Sequence, residues 1–265
     1  MRSILVNADR RPEVDARLQT AVALARVVDG CLTVLVDTPV ARYVSMDPMG
    51  GSYVASDALS QAMEDDDANA ARIEAMLRAE GLGFTMIRSE AEPVEALAKA
   101  ARLADLVLLS RSSGLAGELA LSSRTPVLVL NDHPSKEVSG TAIPFRTVCV
   151  AWDGGDEAVH SLRASVPLLA MADTVQVLTV AEKPGGFAPG EALRYLNQHE
   201  VTAELKELTR HGSTEETLSR AVAEAGADLL VLGAFGKSRM REYLFGGVTR
   251  YFLEHRNSPS LFLAH

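Results

Sequence analysis

The chain has 265 residues, 47% of them hydrophobic and 23% charged, with a mean hydropathy of +0.07, which is the composition of an ordinary folded domain rather than a disordered or fibrous chain. A formal charge of −9 excludes a broad basic surface of the kind that displaces counterions from nucleic acid. No apolar stretch approaches the ~18 residues that a membrane helix needs, and the opening MRSILVNAD lacks a signal-like apolar region, so a cytoplasmic protein is expected.

In chain order, the apolar run ILVNAD (4–9) reads as a strand and the alanine-rich stretch 17–28 as a helix. Cys31 and Cys149 both fall in apolar strand-like runs, so buried reduced thiols are expected rather than a disulfide. Residues 42–76 form a longer segment, a candidate lid or packing element. It holds the loop MGGS and the acidic run EDDD (64–67), which is expected to be the solvated start of a helix and not a metal site. A helix over 93–103 and apolar strands in ADLVLLS (104–110) and RTPVLVL (124–130) follow, and SRSSG (110–114) has the composition to cap a short helix. The stretch 131–145, NDHPSKEVSGTAIPF, reads as a linker.

Beyond it the spacing predicts strands at 147–152, 174–180, 201–208, 229–232 and 260–264. Between them helices are expected at 156–171, 190–199 and 214–225, with another after Gly247. The order of runs is a repeat. ILVNAD matches VCVAWD (148–153), ADLVLLS matches ADLLVLG (227–233), and RTPVLVL matches NSPSLFL (257–263). Two homologous α/β domains are therefore expected, over 1–135 and 144–265. Each would be a five-stranded, doubly wound parallel sheet, because its strands are almost continuously apolar and alternate with helices.

In such sheets ligands bind at the carboxyl ends of the strands, near the point where strand order reverses. Two features of the second half converge there. Asp153 ends the first strand and is followed by Gly154 and Gly155, while the fourth strand runs into GAFGKSRMREYLFGG (233–247). The Gly-Lys-Ser of that stretch is not a P-loop, since the glycine required five places before Gly236 is Val231. What remains is the spacing Gly233-x2-Gly236-x9-Gly246-Gly247-Val248-Thr249, which leads into a helix start whose free amides favour an anion such as phosphate. The physical reading is a nucleotide, with base and ribose near Asp153 and Gly233 and phosphates against Gly246, Gly247, Val248 and Thr249. KSRMR (237–241) is either a phosphate-side basic element or solvated surface.

This pattern resembles the ATP-binding signature of universal stress proteins, and the two-half layout is similar to that of the family's tandem members. The resemblance implies a Rossmann-like, adenine nucleotide alpha hydrolase-like fold that binds ATP or another adenine nucleotide, with or without Mg2+, and acts in stress response or signalling. It also implies that Asp153 faces the nucleoside, that Val180 meets the base through its backbone, and that Gly233 and Gly236 line ribose and phosphates. The final strands of the family pair between subunits, so a tandem chain could form a pseudo-dimer of its own halves or dimerise further.

Two departures qualify this expectation. Gly247 stands where the signature has Ser or Thr, removing one hydroxyl from the phosphates. In the first half Asp9 matches Asp153, but Ser110 replaces Gly233; Ser110 to Pro126 spans 16 positions against 26 for Gly233 to Pro259, so ten residues are missing where the phosphate loop belongs. One competent site, in the second half, is expected. The alternative is a protein of the same fold that binds no nucleotide and docks a protein partner. Catalytic residues are not expected, since His133, His160, His199, His211, His255 and His265 are dispersed and neither a nucleophile elbow nor metal-ligand spacing is present. Any ATP hydrolysis would be slow and incidental.

Overall fold

The computed structural model describes residues 1–46, 52–132, 144–180, 186–234 and 247–265. They divide into two compact units, Met1–Leu108 and Leu109–His265. The first unit contains β1 (Ser3–Asn7), α1 (Val14–Val27), β2 (Cys31–Asp37), β3 (Val44–Met46), β4 (Ser52–Val54), α2 (Ser56–Glu80), β5 (Phe84–Ser89) and α3 (Pro93–Ala100). The division runs through β6 (Leu106–Ser110). Strands β6, β1, β2 and β5 lie side by side in that order, all parallel, while β3 and β4 form a separate antiparallel pair. Ile4, Leu5 and Val6 and all five residues of β6 are buried, as central strands covered on both faces must be.

The second unit contains α4 (Ala116–Ser122), β7 (Val127–Leu130), β8 (Thr147–Ala151), α5 (Asp156–Leu169), β9 (Thr174–Val180) and α6 (Pro189–Gln198). It continues with β10 (Glu204–Leu208), α7 (Thr214–Glu224), β11 (Leu229–Gly233), α8 (Gly247–Glu254) and β12 (Ser260–Ala264). The order is β10-β9-β8-β11-β12-β7. Its first five strands are parallel, and β7 joins the edge antiparallel to β12. The sequence β10-β9-β8-β11 repeats the β5-β2-β1-β6 of the first unit, so the repeat read from the three matched runs is a repeat of fold. Strand order reverses between β8 and β11, which places the ligand crevice at their carboxyl ends.

One side-chain device appears in both copies. Asp105, just before β6, accepts the amides of Arg2 and Ser3 on one oxygen at 2.6 and 2.9 Å, and Asp228, just before β11, accepts those of Arg146 and Thr147 at 3.0 Å each. A carboxylate thus satisfies two amides at the start of the first strand of each repeat, where the ladder leaves them without strand partners. The Asp105 carboxyl is held below its ordinary pKa by these two donors.

The joint between β7 and β12 has its own anchor. Arg111 takes the place that follows Ser110 where the ten-residue loop is missing, and its guanidinium donates to the carbonyls of Phe252, His255 (3.1 Å), Ser258 (3.3 Å) and Pro259 (2.6 Å). A cation is thereby set at the C-terminal end of α8, where the helix dipole is negative and the last carbonyls lack helical donors. Burial lowers the pKa of Arg111, yet the guanidinium stays charged.

The structure differs from the sequence expectation at two places here. The run EDDD lies in the middle of α2 rather than at its start, and Asp66 is only 4% exposed. Cys31 is exposed because it is the first residue of β2, whereas Cys149, mid-strand in β8, is buried and its thiol is pushed up to about 11.

Replacing Asp228 by Ala should lower stability by roughly 1–3 kcal/mol, the cost of two strand amides losing a charged acceptor, with Asn costing less. Urea denaturation measures it, and an Ala variant as stable as the parent would show that the clamp contributes nothing.

Candidate functional site

At the crevice of the second unit, Asp153 follows β8 and is exposed. Its Oδ1 accepts the amide of Gly155 at 2.8 Å, a tight turn that sets Gly155 as the residue preceding α5 and turns the first amides of that helix toward the strand end. Gly233 ends β11 against the same helix. A Cβ there would lie 2.7 Å from the backbone of Glu157 and Ala158 and 2.9 Å from Glu157 Cβ, so only glycine lets β11 approach the first turn of α5 this closely.

Thr249, in the first turn of α8, is 3% exposed, and its hydroxyl donates to the Gly233 carbonyl at 3.4 Å. The residue expected to supply a phosphate hydroxyl therefore ties α8 to the end of β11. Gly247 opens α8 and Val248 follows it. Val180 ends β9, in register with Leu208 of β10, one strand beyond β8. The structure thus gathers Asp153, Gly233 and Thr249 around the starts of α5 and α8, while Gly236, Gly246 and KSRMR lie outside the described residues.

Sequence reasoning missed a backbone strap on this crevice. Phe187 donates its amide to the Gly154 carbonyl at 2.9 Å, and the Trp152 indole donates to the Phe187 carbonyl at 3.1 Å. The strap requires Gly154, whose φ is +76°, because a Cβ there would collide with the Phe187 backbone. Trp152 itself is 5% exposed, so it is a buried anchor and not a stacking platform. The Phe187 side chain stays largely exposed beside Gly154.

The equivalent crevice of the first unit is filled from within. Asp9, the counterpart of Asp153, pairs at 2.6 Å with the buried guanidinium of Arg17, which also donates to the Asn7 carbonyl at 2.7 Å. Eight residues after Asp153 the matching position is Ser161, whose hydroxyl bonds its own helix. Helix α2 then lies across the strand ends. Asn69 donates to the Ala8 carbonyl after β1 at 3.0 Å, Asp66 accepts from Thr38 after β2 at 2.6 Å, and the Asp66 carbonyl accepts from Arg88 of β5 at 3.2 Å. Arg10 bridges Asp65 and Asp66 at 2.7 and 3.1 Å. Asp67 pairs with Arg88 at 2.8 Å, so the segment over 42–76 is in large part a packing element over the site, and three of the four residues of its acidic run are engaged with groups at the strand ends.

Residues 144–263 match the family model described as the universal stress protein family. The second half is a universal stress protein domain. Its fold extends over the whole chain. A universal stress protein from Archaeoglobus fulgidus DSM 4304 aligns with 99% of this chain and 95% of its own at a TM-score of 0.72 and 14% identity. A putative universal stress protein from Pseudomonas aeruginosa UCBPP-PA14 aligns with 100% of this chain and 93% of its own at 0.62 and 16%. A search of curated proteins returned no match. The universal stress protein fold is therefore present in both halves, and the second also carries the family's sequence pattern.

Burial, and then the charges of Asp9 and Asp66, raise the Asp37 carboxyl at the end of β2 from 3.8 to about 6. Because the folded state holds this proton more tightly than the unfolded chain, its contribution favours folding at low pH and is lost as pH rises from about 4 to about 6. Asp37→Asn should therefore stabilise the protein at pH 7.5 by roughly 1–2 kcal/mol after allowance for partial exposure, with no gain at pH 4. Denaturant unfolding at the two pH values measures this; an equal effect at both would show that Asp37 does not titrate in this range.

Proposed function

We propose that the protein is an adenine-nucleotide-binding module of stress response or signalling, with one site, at the carboxyl ends of β8, β9 and β11, and no enzymatic role beyond slow incidental ATP hydrolysis. The observation that carries this reading is the contrast between the two strand-end aspartates. Asp153 is exposed beside the starts of α5 and α8, whereas Asp9 is bound by Arg17 under a helix that crosses the same place. In this reading Asp153 accepts from the ribose, the Val180 backbone meets the base, Gly233 allows close approach of the sugar, and the first amides of α8 face the phosphates with Gly236 and Gly246, with or without Mg2+.

The antiparallel pairing of β7 with β12 supports a second part of the reading, that one chain reproduces internally the pairing the family makes between subunits.

Thermal unfolding with ATP, ADP and AMP tests the proposal. A ligand at a hundred times its Kd stabilises by about 2.7 kcal/mol, so Tm should rise with at least one nucleotide. Gly233→Val should abolish the rise, because its Cβ meets the α5 backbone, and Asp9→Ala should leave it. A Tm unmoved by millimolar amounts of all three would overturn the reading and favour a partner-docking protein.

A further inference from the structure

The start of α8, where the proposed site holds its phosphates, already has an anion of the chain's own beside it. Glu215 Oε1 sits so close over Gly247 that a Cβ at that position would collide with it, and Glu215 Cδ would be 3.5 Å from that Cβ. Glu215 is the second residue of α7, whose first turn is fixed by a reciprocal pair in which Ser213 Oγ accepts from the Glu216 amide at 3.1 Å and Glu216 Oε2 accepts from the Ser213 amide at 3.0 Å. Helix α7 packs against α8, so the carboxylate is delivered to this spot by two helices rather than by a loop. Among the described residues no cationic side chain is paired with it.

A helix start stabilises a carboxylate for the same reason that it stabilises a phosphate, through free amides and the positive end of the dipole. The two cannot share it cheaply, since like charges a few ångströms apart repel, and each added phosphate charge increases the penalty. Resting on the nucleotide reading above, we propose that Glu215 is a charge filter, making the site prefer adenine ligands with one phosphate or none over ATP. A serine or threonine at position 247 would place its Cβ against the Glu215 carboxylate, which lies at the far end of a flexible side chain and would turn aside.

Equilibrium dialysis of AMP and ATP against the full chain tests the filter, with circular dichroism confirming that each variant is folded. Glu215→Gln removes the charge and keeps the shape, and should tighten ATP on the order of tenfold while changing AMP much less. Gly247→Ser combined with Glu215→Ala, which restores a phosphate hydroxyl and removes the carboxylate, should bind ATP more tightly than the parent. ATP binding by Glu215→Gln where the parent binds none would likewise support the filter. If the parent binds nucleotide and Glu215→Gln leaves the ATP to AMP ratio unchanged, the filter is wrong and the nucleotide site stands. If neither protein binds any adenine nucleotide, both are wrong.

Discussion

A doubly wound parallel sheet leaves a crevice at the carboxyl ends of its strands, where crossovers diverge and helix starts point their free amides at one place. Something has to occupy or solvate those groups, and the two halves of this chain do it differently. In the first, α2 lies over the strand ends and supplies carboxylates, a carbonyl and an amide to them, while Arg17 neutralises Asp9 from below. In the second, a strap of backbone at Phe187 crosses the edge at Gly154, and Asp153 stays at the surface. The proposed confinement of nucleotide binding to the second half rests on this difference in filling.

The filling of the first crevice has an electrostatic cost that shows in Asp37. Asp9, Asp37 and Asp66 converge on the ends of β1 and β2; Arg10, Arg11 and Arg17 are engaged with Asp65, Asp66 and Asp9, and Arg42, whose charge partly offsets the rise at Asp37, is paired with Glu92. Asp37 Oδ1 is buried without a partner among the described residues, and its proton is held more tightly as a result. The missing loop is compensated separately. Arg111 follows Ser110 where the second half has Ala234, and it inserts into the carbonyls at the end of α8. Thus α8 is held by a cation at its C-terminus and by Thr249 at its start.

The fold was legible because its determinants are local and repeated. Continuously apolar runs mark strands buried on both faces, and the predicted spans 174–180 and 260–264 coincide with β9 and β12. Strand ends such as Asp153 and Gly233 were legible too, since strand-end position and glycine are written in the chain. What could not be read were contacts made across long sequence separation. EDDD looks like solvated charge in sequence, yet Asp66 is buried because Thr38 and Arg10 reach it from distant elements. Cys31 looks like Cys149 in sequence, but one opens a strand and the other sits mid-strand. Thr249 matched a motif position whose backbone neighbour, Gly233, is 16 residues away. The one signal that could have warned of the filled crevice was Arg17, a basic residue eight places after the strand-end aspartate where the second half has Ser161.

The central claim is that a single crevice in this chain is available to an adenine nucleotide. The number of nucleotides bound per chain at saturation, measured by equilibrium dialysis with labelled AMP, tests it most directly. The account predicts one per chain, unchanged by Asp9→Ala and abolished by Gly233→Val; two per chain, or none, would contradict it.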